Sequence, residues 1–179
     1  MAEKADRKTW INRGVFIALA FIFIVIDLVP HDMRPPVWAA PDLLLAVTFA
    51  WVARKPSYLP VLVVAAFFLM TDFLFMRPPG LWAALVVILT EVIRGQNRDF
   101  RNMPFLVEWG TIAVGIVAIT LVNRLVIVVV MLPQAPLGLT LTQMIATIAV
   151  YPVVLVVAHF VFGVTRTAPG ETGSRGHLL

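Results

Sequence analysis

The chain of 179 residues contains no cysteine, which excludes disulfides, thiolate metal sites and cysteine nucleophiles. Serine is nearly as scarce. Ser57 lies in a gap between apolar runs and Ser174 in the tail, so an intramembrane serine protease has no nucleophile at depth. His31, His159 and His177 are widely separated, and His159 alone in an apolar run is expected to be a packed or interfacial residue. Zinc proteolysis, ATP hydrolysis and intramembrane aspartyl proteolysis all lack their signatures: there is no HExxH pair, no P-loop and no glycine-flanked aspartate pair. No catalytic residue, metal site or cofactor is expected. Charged residues make up only 13% of the chain against 60% hydrophobic. The mean hydropathy of +0.93 is far above what a water-soluble domain needs for one core.

What is abundant is long apolar sequence. Six runs, at 14–30, 37–53, 58–76, 79–93, 104–132 and 139–164, are separated by helix-breaking chemistry. The breaks are Pro30 and Pro35-Pro36, Lys55-Pro56, Pro78-Pro79-Gly80, Gly95, and the stretch from Pro133 to Gly138. A helix of about 17 to 25 apolar residues crosses a bilayer core of roughly 30 Å, and it satisfies its own backbone in lipid. The expected fold is an all-α polytopic membrane bundle of about six helices over residues 14–164. A basic N-terminal segment (1–13) precedes it, and a glycine-containing tail (165–179) that we expect to be disordered follows. The first run has no small-residue cleavage pattern and is read as a retained helix, not a signal peptide. Pro41 and Asp42 suit a helix start. If the second helix begins only there, it is short for a crossing, and a re-entrant hairpin is the alternative.

The 14 Lys and Arg residues collect in alternate gaps. Eleven fall on one side: Lys4, Arg7, Lys8, Arg13, Arg54, Lys55, Arg94, Arg98, Arg101, Arg166 and Arg175. Only Arg34 and Arg77 fall in the opposite gaps, and Arg124 lies within the fifth run. The positive-inside rule then places both termini in the cytoplasm. It also explains the net charge of +4 without nucleic acid as a partner. Trp10, Trp38, Trp51, Trp82 and Trp109 lie near run ends, where amphipathic rings prefer the headgroup zone.

Asp27, Asp42, Asp72, Glu91 and Glu108 lie within apolar runs, but each within about 7 Å of a helix end at 1.5 Å per residue. They are read as interfacial or ion-paired groups that reach water or a basic neighbour. Arg124 lies about 30 Å along a fifth helix of about 42 Å, level with Asp72 and Arg77. An Asp72–Arg124 ion pair joining two helices is one expectation, and snorkelling of Arg124 to lipid phosphate is the other. Beyond Arg124, the apolar residues Leu125, Val128, Val129 and Leu132 either stay in the membrane by helix tilt or present a surface to a partner. Thr111, Gly115 and Ala118 form a small-residue face that permits close helix approach, within the chain or to another protein. Arg94, Arg98 and Arg101 form an inner basic cluster suited to anionic lipids or a cytosolic partner.

The order of the punctuating residues narrows the class. Pro41-Asp42-Leu43 is followed by Trp51 with Arg54-Lys55-Pro56, and then by Thr71-Asp72 leading through Arg77-Pro78-Pro79-Gly80 to Leu81-Trp82. Together with Glu108-Trp109 and Tyr151-Pro152, this order resembles the rod shape-determining MreD family over about residues 37–164. The Arg77–Gly80 turn is richer in proline than that family's usual form. The resemblance implies a non-catalytic component of the bacterial inner membrane within the elongation machinery. The partners it implies are MreC and, through it, the MreB filament, RodA and a class B penicillin-binding protein; a homodimer is left open. It also implies a bundle similar to the substrate-binding S-component of energy-coupling-factor vitamin transporters. A small-molecule-binding subunit of such a transporter is therefore the alternative.

Overall fold

A computed structural model describes residues 2–29, 38–96 and 104–162. The described residues form six helices and no strands: α1 (Ala2–Leu28), α2 (Leu43–Arg54), α3 (Val61–Leu74), α4 (Leu81–Gly95), α5 (Phe105–Val129) and α6 (Leu137–Phe162). A single 3-10 turn, Pro56–Tyr58, links α2 to α3. α1, α5 and α6 are long and apolar enough to cross a membrane. Their apolar windows have mean hydropathies of 2.1 to 2.5, yet only 22 to 28% of those residues are buried within the bundle. Apolar residues thus face outward while Thr48, Thr71, Asp72, Thr90, Glu108 and Thr147 are buried. Water would not tolerate that distribution, and lipid favours it. The chain is a helical membrane protein.

α2 is the centre of the bundle. All ten residues from Leu44 to Ala53 are buried, enclosed chiefly by α6, α4 and α1. Its 12 residues measure about 18 Å, shorter than the 37–53 run. The shortening has a local cause. Asp42 is the N-cap, its Oδ1 accepting from the Leu45 amide at 2.8 Å, so the helix starts after it. Pro41 therefore precedes the helix and is not part of its first turn. The strand-like approach to the cap is pinned by α6: the amides of Ala39 and Asp42 donate to the hydroxyls of Thr142 and Thr147. At the other end, proline at position 56 disfavours helical backbone at Lys55, which sits at φ −143°.

The outer helices meet this centre through single stripes at helical spacing. α1 contributes Asn12, Phe16, Ala20 and Ile24, α5 contributes Glu108, Ile112, Ile116 and Ile119, and α6 contributes Thr147, Tyr151, Leu155 and Ala158. Phe16 packs between Trp51 and Phe67, with ring centroids 6.4 and 6.1 Å away. Trp51 and Trp82 are consequently interior residues, not members of an interfacial belt. Trp10 and Trp38 remain exposed.

α3 and α5 end in the same way. The amide of Arg77 donates to the Asp72 carbonyl and that of Met76 to Phe73, and the amides of Leu132 and Met131 repeat the pattern on Ile127 and Val128. This is the Schellman motif, whose pivotal residue takes a left-handed conformation that glycine suits best. Here both pivots are methionines, at φ 53° and 58°, and they are 92% and 91% exposed. Side chains so exposed contribute little packing to offset the strain. Met76→Gly and Met131→Gly are each expected to stabilise the protein by roughly 0.5–1 kcal/mol, the left-handed penalty less glycine's extra chain entropy. Unfolding in mixed detergent micelles reads this out.

Candidate functional site

Polar groups gather at the two ends of the bundle. At the end where α2 stops and α5 starts, the Glu108 carboxylate is 1% exposed and lies 3.4 Å from Arg54 Nε. The Tyr151 hydroxyl donates to the same Oε1 at 3.4 Å. One buried carboxylate thus joins α2, α5 and α6. Next to it, Trp109 Nε1 donates to the Ile148 carbonyl at 3.0 Å. That carbonyl needs an outside donor because Pro152, inside α6, has no N–H to offer four residues on. Trp109→Phe is expected to cost about 1 kcal/mol in the native chain. It should cost only a few tenths in a Pro152→Ala background, where the restored amide satisfies Ile148. A double-mutant cycle in unfolding experiments measures the difference.

The turn joining α2 to α3 is clasped by two arginines. Arg94 Nη1 and Nη2 donate to the carbonyls of Pro56 and Leu59 at 3.0 and 2.8 Å, and Arg94 Nε pairs with Glu91 at 2.9 Å. Arg13 donates to the Ser57 carbonyl at 3.1 Å. Arg94 is therefore a structural tie rather than part of a free basic patch, because it adds donors to two carbonyls of the turn, that of Pro56 being shared with the Leu59 amide. Arg98 and Arg101 lie outside the described residues, as do His31, Arg34 and the tail.

At the opposite end the expected Asp72–Arg124 ion pair does not form. Asp72, fully buried, uses Oδ2 to accept from the amides of Gly80 and Ala83 at 2.9 and 3.2 Å. It caps α4 from α3 across the Arg77-Pro78-Pro79-Gly80 turn, with Gly80 at φ 85° supplying the left-handed corner. Amides at the positive end of a helix are a closer partner for a carboxylate than a side chain two helices away. Arg124 also does not snorkel straight outward. Its Nη1 donates to Thr140 Oγ1 at 2.8 Å and to the Ala135 carbonyl at 3.3 Å, while Gln134 Nε2 donates back to the Arg124 carbonyl at 3.0 Å. These bonds lash the start of α6 to the end of α5.

The small-residue face on α5 serves the chain itself at Gly115. A Cβ there would meet Leu89 Cδ1 of α4 at 2.8 Å. Thr111 is half-buried and Ala118 exposed. Leu125, Val128, Val129 and Leu132 are all exposed, an unbroken apolar face around the last turns of α5.

A cavity of about 380 Å³ opens among α2, α4, α5 and α6 at the Arg124 end. Its polar lining includes Arg77, Arg124, Asp42, Asn123, Gln134 and Gln143. A neighbouring cavity of about 210 Å³ shares Asp42, Phe75, Arg77 and Gln143 with it. The sequence reading missed this convergence, because the residues come from four helices and two turns. Among the described residues, no group of three or more His, Asp or Glu side chains is arranged to hold a metal. Compared with protein-family models, curated proteins and solved structures, the chain matches none.

Proposed function

We propose that this chain is a non-catalytic membrane adaptor of MreD type. In this reading it lies in the bacterial inner membrane and holds MreC, and through MreC it links MreB to RodA and its penicillin-binding partner. The observation that carries the reading is the division of labour between polar and apolar residues. The buried carboxylates Asp72 and Glu108 are committed to helix capping and helix pairing. The exposed area of the long helices, and above all the end of α5, is apolar. A protein built this way works through packed surfaces, and the sequence resemblance supplies the partner class. The charge asymmetry supports a cytoplasmic location for the Arg54 end and both termini.

The second reading, a substrate-binding subunit of an energy-coupling-factor transporter, is favoured by the cavity at the Arg124 end. One experiment separates the two: gentle-detergent purification of the tagged chain from its native membrane, with mass spectrometry of everything retained. The adaptor reading expects MreC, RodA and a class B penicillin-binding protein. Retention of a transporter's ATPases and coupling protein instead would replace it with the second reading.

A further inference from the structure

The cavity at the Arg124 end collects hydrogen-bond donors that the protein does not use. Arg77 makes no hydrogen bond to the protein: its guanidinium carbon lies 5.3 Å from the Phe75 centroid and 5.7 Å from that of Trp82, within electrostatic reach of the Asp42 and Asp72 carboxylates. Stacking engages the faces of a guanidinium and leaves its hydrogen-bonding edge open. Arg124 commits Nη1 alone to the protein. Trp82 is 9% exposed, and its Nε1, a donor with no acceptor capacity, has no partner. That nitrogen has essentially no accessible surface, so it is closed off from the cavity and is not among the donors the cavity offers.

Charge fixes the sign of that ligand. Two arginines face one carboxylate in the lining, and Asp42 already spends Oδ1 on the α2 cap. The balance of the lining itself is positive, with the buried Asp72 carboxylate behind Arg77 turned to its own amide partners. Size and shape fix the rest. The cavity falls within the 300–1,000 Å³ typical of organic ligands, more room than a bare oxyanion fills. Leu45, Ile116, Ile127 and Met144 give it apolar walls. Guanidinium edges match the paired oxygens of a phosphate group.

We propose that this cavity binds a phosphate ester, with its phosphate oxygens held by Arg77 and Arg124 and its organic part against the apolar walls. The inference does not depend on the adaptor reading, since it concerns the ligand of the cavity and not the partners of the surface.

Isothermal titration of the full chain in an uncharged detergent tests it. The probes are dihexanoyl phosphatidic acid, dihexanoylglycerol (the same molecule without its phosphate) and inorganic pyrophosphate. Phosphatidic acid is expected to bind at least about tenfold more tightly than the diglyceride, the scale of one charge-assisted contact. Arg77→Gln should remove about tenfold and Arg77→Lys less. Arg77→Gln should also lower the unliganded melting temperature, through loss of its ring contacts and of its attraction to Asp42 and Asp72, so binding is compared on protein shown to be folded at the titration temperature. Arg124→Gln should also weaken binding; if it unfolds the chain through its ties to α6, Arg77→Gln and Arg77→Lys carry the test. If pyrophosphate matches phosphatidic acid with the same dependence on Arg77, the anion site stands and its source is a free phosphate compound, not a lipid headgroup. Equal binding of phosphatidic acid and diglyceride, no binding by folded protein, or phosphate-dependent binding indifferent to Arg77→Gln would each overturn the proposal.

Discussion

Glu108→Ala is expected to be the most destabilising single change in the described polar network, at about 3 kcal/mol. Breaking a buried ion pair by removing one partner costs roughly 3–5 kcal/mol, chiefly because the other charge is left without compensation. The lower end applies because the Arg54 side chain is 15% exposed and can recover some hydration. Both contacts to Oε1 are 3.4 Å long, beyond the usual hydrogen-bond mode. The loss is therefore mostly the stranding of Arg54, not the breaking of short bonds. Glu108→Gln keeps an acceptor for Tyr151 but strands the arginine equally, and should cost about 2 kcal/mol. Arg54→Leu combined with Glu108→Leu should recover much of the loss, since apolar replacement of a whole buried pair is often neutral. Detergent-micelle unfolding of the four proteins decides this: equal losses in the single and double variants would mean that the carboxylate acts alone.

Asp72→Ala is expected to cost about 2–3 kcal/mol. The change removes two hydrogen bonds to a charged acceptor, each on the order of 1.5–3 kcal/mol before relaxation, and strands the Gly80 and Ala83 amides at the start of α4. An N-cap lost elsewhere typically costs about 1 kcal/mol, but here the cap is buried and also fastens α3 to α4. Asp72→Asn retains one acceptor oxygen and should cost about half as much. Arg124→Ala should add to either change within about 0.5 kcal/mol, as independent sites do. A coupling energy well above that would restore the interhelical ion pair that the capping geometry excludes.

The contrast between these two acids shows what the sequence can disclose. Asp72 and Arg124 lie level on their helices, and a linear reading pairs them because it sees only side chains. The partners Asp72 has are backbone amides, which every residue carries and no sequence pattern marks. The usable hint was the eight-residue spacing from Asp72 to Gly80, a distance that a tight helical hairpin closes. Arg54 and Glu108 are also level, one at the end of the second run and the other near the start of the fifth, so the same reasoning would have paired them. Pro152 similarly announces an unsatisfied carbonyl at Ile148, and Trp109 was the nearby donor to look for. The six runs themselves were readable, because proline and glycine mark their ends. The shortness of α2 was offered as an alternative by Pro41-Asp42, but the enclosure on every side that makes an 18 Å apolar helix workable in a membrane was not readable. Arg94 reads as a topology charge and acts as a tie, because the carbonyls it binds exist only once the Lys55-Pro56 turn has formed. The cavity was out of reach for a related reason: its lining is assembled from residues up to about a hundred positions apart.

The central proposal, that the chain serves cell-wall elongation through its partners and not through turnover of its own, is tested most directly by depleting it in the cells it comes from. The measurement follows cell width and lateral incorporation of a fluorescent D-amino acid over the next few generations. The adaptor account predicts that rods widen and round up as lateral incorporation stops, with full-length chain restoring both. Unchanged shape and incorporation after depletion, with loss of uptake of a small solute instead, would contradict it.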